Sequence, residues 1–155
     1  MPQPPSVQYD TKAYYRVKTD TVCIPRPESF SSAAAHYATL YHELTHSTGH
    51  PRRLGRFTIE DRPAFRSQDY SLEELVAEMG SAFLCAHAGI QQPVIENSAS
   101  YISHWLQAFN NDRRMLIKAG TKAQAASDYI RNQPSDAEQP DESHGMTGEE
   151  TGNQE

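Results

Sequence analysis

The sequence is poor in cysteine and has no long apolar run, and each lack removes a class of protein. Two cysteines in 155 residues, Cys23 and Cys85, are too few for a disulfide scaffold and read as reduced, buried side chains. No stretch of 18 apolar residues offers a membrane helix, and no charged-then-apolar leader opens the chain. The expectation is a cytoplasmic protein without a signal peptide. From Asn132 onward Lys and Arg are missing altogether, while seven acids crowd the same stretch. Residues 1–131 then carry 13 acids against 14 basic side chains, so the formal charge of −6 belongs to the tail. Nothing in gross charge points to a nucleic-acid or membrane partner. The tail itself, 132–155, has Met146 and one Ala as its apolar content. It cannot bury enough surface to offset the entropy of ordering, and reads as an acidic, disordered appendage to one domain over 1–131.

What is present alternates between strand and helix signals. Residues 1–12, with three prolines, read as an irregular lead-in. AYYRV (13–17) and TVCIP (21–25) flank a short polar turn and read as a β-hairpin. Ser31 or Ser32 can cap a helix that runs through Thr48, where Gly49 and Pro51 stop it. Residues 50–69 contain Arg52, Arg53, Arg56, Arg62 and Arg66 among Glu60, Asp61 and Asp69, without a period, and read as a solvated loop. A second helix is expected from about Ser71 to Gly89, and two more over 96–110 and 112–130. The expected fold class is α+β: mostly helical, with a small N-terminal hairpin.

The chemistry is concentrated in HELTH, residues 42–46. Residues four apart on a helix share a face, so His42 and His46 can grip one tetrahedral Zn²⁺ from neighbouring turns. Glu43, rotated by about 100°, stands beside the metal, where it can hold and deprotonate a water. A chain of this composition contains the HExxH pattern by chance roughly 0.02 times. Ala34, Ala35, Ala38, Thr45 and Gly49 flank the histidine stripe. Such small residues let another element approach closely, which a third ligand requires.

The sequence offers two sources for that ligand. His50 follows the helix-stopping Gly49 too soon for the chain to turn back, and reads as a loop or cleft-wall histidine. The second helix offers Glu74 and Glu78 on one stripe with Ala77, Ser81, Ala82 and Cys85, opposite an apolar face. Acids beside small residues on a largely buried helix are costly unless paired or metal-bound. One glutamate is expected to ligate the metal and the other to orient a ligand histidine, and periodicity leaves open which is which. Glu73 reads as a solvated acid in the exposed first turn.

HELTH followed by the ExxxE helix resembles the gluzincin branch of zinc metallopeptidases. That resemblance implies Glu74 as the third ligand and Glu78 as its outer partner. The blocks YYRVKTDTVCIP, HYATLYHELTHSTGHPRRLGR, YSLEELVAEMGSAFLCA, SYISHWL and KAQAASDYI are, in addition, similar to the zincin-like (polyvalent-protein) metallopeptidase domain of ArdC-type antirestriction proteins. This similarity covers nearly all of residues 10–131. It implies a zincin-like fold, Zn²⁺ as cofactor and a protein or peptide substrate. In that family a domain binding single-stranded DNA usually precedes the peptidase; here the chain begins at the peptidase, so DNA binding is not expected.

The resulting expectation is metal-assisted peptide hydrolysis. Zn²⁺ on His42, His46 and Glu74 activates water, Glu43 takes and returns its proton, and Tyr70, one turn before Glu74, is the candidate donor to the oxyanion. The alternatives are a metal-binding, non-hydrolytic antirestriction or interaction module, and a single-stranded-DNA-associated protein using the arginines of 50–69. Glu43, which adds nothing to ligation, speaks for hydrolysis.

Overall fold

A computed structural model of the chain describes residues 1–58, 68–90, 105, 107, 109 and 112–133. Three strands, β1 (Ser6–Tyr9), β2 (Tyr14–Arg16) and β3 (Thr21–Ile24), form a sheet in the order β1-β3-β2. Three helices follow among the described residues: α1 (Ala33–Ser47), α2 (Gln68–His87) and α3 (Arg113–Arg131). The α+β class is as expected. The segments expected as a 96–110 helix and a 132–155 tail lie almost wholly outside the described residues, although Trp105 and Phe109 are seen within the core.

β2 and β3 make the expected antiparallel hairpin, with Tyr14 opposite Cys23 and Arg16 opposite Thr21. Asp20 closes it at φ 47°, a left-handed conformation that Asp tolerates better than most residues. The lead-in is not irregular, however. β1 joins β3 in parallel, Ser6 against Thr21 and Tyr9 against Ile24. Parallel partners need no tight turn between them, and all four β1 residues are exposed, so neither a turn signal nor an alternating pattern marks the strand. β3, by contrast, is buried along its whole length.

Ser32 caps α1, its Oγ accepting from the Ala35 N–H at 3.1 Å. The chain leaving α1 folds back at once: the Phe57 N–H reaches the Gly49 carbonyl at 3.2 Å. The Phe57 ring lies where a Gly49 Cβ would be, 2.1 Å from its nearest carbon, so only glycine admits this return. Phe57 then joins Tyr15, Val17, Val22, Leu40 and Leu44 in a core between sheet and α1. α2 begins one turn earlier than expected, at Gln68. Its Leu72, Leu75 and Val76 meet Trp105, Phe109, Ala119 and Ala123 in a second core against α3. α1 thus lies between the sheet and α2, and α3 covers α2. Gly80 makes the α1–α2 approach close, since a Cβ there would meet Thr45 Cγ2 at 2.6 Å. Among the described residues, no helix is long and apolar enough to cross a membrane.

Candidate metal centre

The α1–α2 contact brings three donor atoms to one point. His42 and His46 project from successive turns of α1, ring centroids 4.8 Å apart, with their Nε2 atoms separated by 3.1 Å. From α2, Glu74 Oε2 stands 3.7 Å from each of those nitrogens. A tetrahedral ion with bonds of about 2.0–2.1 Å holds its donors roughly 3.3–3.4 Å apart, and the three separations bracket that spacing. Among the described residues these form the group of three able to hold a metal.

The far side of each ring is also engaged. His46 Nδ1 lies 3.3 Å from Glu73 Oε1, and His42 Nδ1 lies 3.6 Å from Glu78 Oε1. The tautomer that directs each Nδ1–H at its carboxylate turns both Nε2 lone pairs toward one another and toward Glu74. An arrangement of three converging acceptors is repulsive unless a cation or proton lies between them, so two imidazoles and a carboxylate fit a divalent ion here. Burial alone would push His46 down, but its hydrogen bonds to Glu73 and Glu74 lift it to about 9. Burial would raise Glu74, yet His42, His46 and Tyr70 beside it hold it well below the usual carboxylate range.

Each residue singled out in the sequence can now be located. His42, His46 and Glu74 converge; Glu78 is beside His42; Tyr70 donates to Glu74; Glu43 is buried on α1. His50 is buried as well, accepting from the Arg52 N–H at 3.2 Å, and is not among the converging donors.

Two expectations fail. Glu73 is not solvated: its side chain is 10% exposed and lies against His46. Nor are all the arginines free. Arg56 donates to both Glu73 oxygens, at 2.8 and 2.7 Å, while Arg53 pairs with Asp20 and donates to the Tyr15 hydroxyl and the Ser47 carbonyl. Their side chains are 6% and 1% exposed. A signal for Glu73 did exist. It shares a stripe with Ala77 and Gly80, and Gly80 marks where α2 touches α1. Nothing comparable marks Arg56 in a segment without periodicity.

Comparison with known proteins adds the family context. A family model described as a zincin-like metallopeptidase matches residues 6–122. The chain is 38% identical over 128 residues to the uncharacterized protein y4eC of Sinorhizobium fredii, covering 83% of this chain and 41% of that protein. It is 36% identical over 119 residues to DNA primase TraC of Escherichia coli, covering 77% of this chain and 11% of the primase. Among solved structures it resembles the Mn(II)-bound antirestriction ArdC protein from the R388 plasmid, at 39% identity and a TM-score of 0.68. That match covers 83% of this chain and 47% of ArdC. The metal-free ArdC structure matches with a TM-score of 0.64 at 38% identity. The chain therefore spans less than half the length of each relative.

Proposed function

The chain belongs to the zincin-like metallopeptidase family, and from that premise we propose that it is a zinc-dependent peptidase hydrolysing peptide bonds in a protein substrate. The observation that carries this reading is the convergence of His42, His46 and Glu74 beside a buried Glu43. An N₂O donor set of this kind suits zinc, which when bound would polarise the scissile carbonyl and acidify a water toward pKa ~7. Mn(II) in the related ArdC structure makes the ion itself part of the proposal.

The remaining work falls to this chain's own side chains. Glu43, one residue from a ligand but not in the ligand group, takes the proton of the attacking water and delivers it to the leaving amine. Tyr70 holds Glu74 while the site rests, and donates to the developing oxyanion by exchanging that bond. Glu78 keeps the His42 ring turned toward the ion. Cys23 and Cys85, buried and in no disulfide, suit a reducing cytoplasm. Residues 1–131 would form the peptidase unit.

A second reading has one observation in its favour: the solved relatives are named as antirestriction proteins, and the other relatives carry no peptidase name. It is a non-hydrolytic antirestriction module that keeps the metal. Association with single-stranded DNA through the loop arginines loses ground, because Arg53 and Arg56 are already paired with Asp20 and Glu73. Zinc content and cleavage of a peptide library by wild type and Glu43→Gln separate the two. The peptidase reading expects equal zinc in both, with turnover reduced 10²–10⁴-fold in Glu43→Gln. A zinc-loaded wild type that cleaves nothing supports the module.

A further inference from the structure

The two ligand histidines are not held alike. Behind His42 stands Glu78, at 3.6 Å and 45% exposed. Behind His46 stands Glu73, at 3.3 Å and 10% exposed, and Glu73 is itself fixed. The Arg56 guanidinium grips it through two bonds, Nε to Oε2 at 2.8 Å and Nη2 to Oε1 at 2.7 Å. The same guanidinium donates to Thr48 Oγ1 at 2.7 Å and to the Thr45 carbonyl at 2.8 Å. One planar cation thus joins the last turn of α1 to the first turns of α2 and holds the carboxylate that faces His46. A rigid fork suits this task, because bidentate pairing fixes the carboxylate plane as well as its distance.

We infer that Arg56 and Glu73 form a positioning pair that sets the His46 ring for metal binding, making the chain that follows α1 part of the metal centre. This rests on the metal reading above, though not on hydrolysis. Glu73 touches no donor atom of the site; it acts through the Nδ1 of His46, and Arg56 acts through Glu73. The return of the chain at Gly49 and Phe57 is what delivers Arg56 to that position. Two adjacent glutamates on α2 therefore have different duties: Glu74 faces the Nε2 side of His46, Glu73 its Nδ1 side.

The test is zinc affinity, measured by competition with a chromophoric chelator, together with the visible spectrum of the Co²⁺-substituted protein. Glu73→Gln and Arg56→Met should each weaken zinc binding 10–100-fold and alter the Co²⁺ bands. The double variant should bind no more weakly than the poorer single one, since both act on one ring. Arg56→Lys, which keeps the charge but lacks the fork, should recover part of the affinity and serves if Arg56→Met does not fold. Val76→Ala, a substitution in the core between α2 and α3, controls for general loss of stability and should leave affinity unchanged. The inference is overturned if the variants bind zinc within twofold of wild type, or if Val76→Ala weakens binding as much. A wild type that takes up no zinc would instead overturn the metal reading, and this inference with it.

Discussion

His42 and His46 bring their Nε2 atoms to 3.1 Å, while the Nδ1 of each ring faces a different glutamate. Each ring thus has a carboxylate behind it, on the side away from the converging nitrogens. An ion held by these donors would offset the mutual repulsion of acceptors that converge.

Relief of that kind is visible as stability. An ion that binds the folded chain and not the unfolded one stabilises by RT ln(1 + [L]/Kd), about 2.7 kcal/mol at a hundred times Kd. For a domain of this size that is a rise of roughly 5–15 °C in Tm. Thermal melts with chelator and with graded zinc should differ by this much. A Tm indifferent to both would remove the metal centre from consideration.

Glu74 and Glu78 divide by the same geometry. Glu74 is 3.7 Å from both converging nitrogens, whereas Glu78 reaches only the back of His42. Metal analysis of purified variants should find Glu74→Ala without stoichiometric zinc. Glu78→Ala should retain it with affinity lowered 10–100-fold. Loss of zinc from Glu78→Ala alone would reverse the two roles.

Much of this was legible in the sequence, for definable reasons. The hairpin, α1 with its Ser32 cap and the convergence of α2 on His42 and His46 follow from local rules: alternation, capping and the spacing of small residues. What escaped depends on partners distant in sequence. β1 pairs with a strand 15 residues on, has no buried face and so leaves no pattern. Arg53 and Arg56 look like surface residues because nothing near them reveals Asp20 or Glu73, 33 and 17 residues away. A charge is read as solvated until its counter-charge is located, and a buried pair hides both members.

The Asp20–Arg53 pair has consequences far from the metal. Arg53 is 1% exposed and also holds the Ser47 carbonyl, so removing its counter-charge leaves a buried cation. Asp20→Ala also leaves a non-glycine residue at φ 47° without the side chain that favours it. Together these should cost about 3 kcal/mol, read as a shift in the denaturant midpoint. Burial raises the Asp20 carboxyl, but Arg53 and Tyr15 outweigh it and hold it below the ordinary aspartate value. A depressed carboxyl contributes stability that is complete above its unfolded pKa and fades as pH falls through the folded one. Wild type should therefore lose stability below about pH 4 more steeply than Asp20→Asn. Parallel acid-unfolding curves would contradict that assignment.

Gly80 tests whether the metal centre depends on how closely α2 approaches α1. A Cβ at this position would lie 2.6 Å from Thr45 Cγ2 and 2.8 Å from its Oγ1, and Thr45 is fully buried with its hydroxyl bonded to the Tyr41 carbonyl. Thr45 cannot swing aside, so the helices must separate. Helix propensity favours Ala over Gly by about 1 kcal/mol, while overpacking costs roughly 1–3 kcal/mol. The net effect of Gly80→Ala on stability should be a loss of about 0–2 kcal/mol. Its larger effect should fall on zinc, because Glu74 lies six residues away on the displaced helix while both histidines stay on α1. Pairing Gly80→Ala with Thr45→Ser, which removes the clashing methyl, should restore part of the affinity. If Gly80→Ala binds zinc like wild type while losing stability, the approach of the helices sets the fold but not the site.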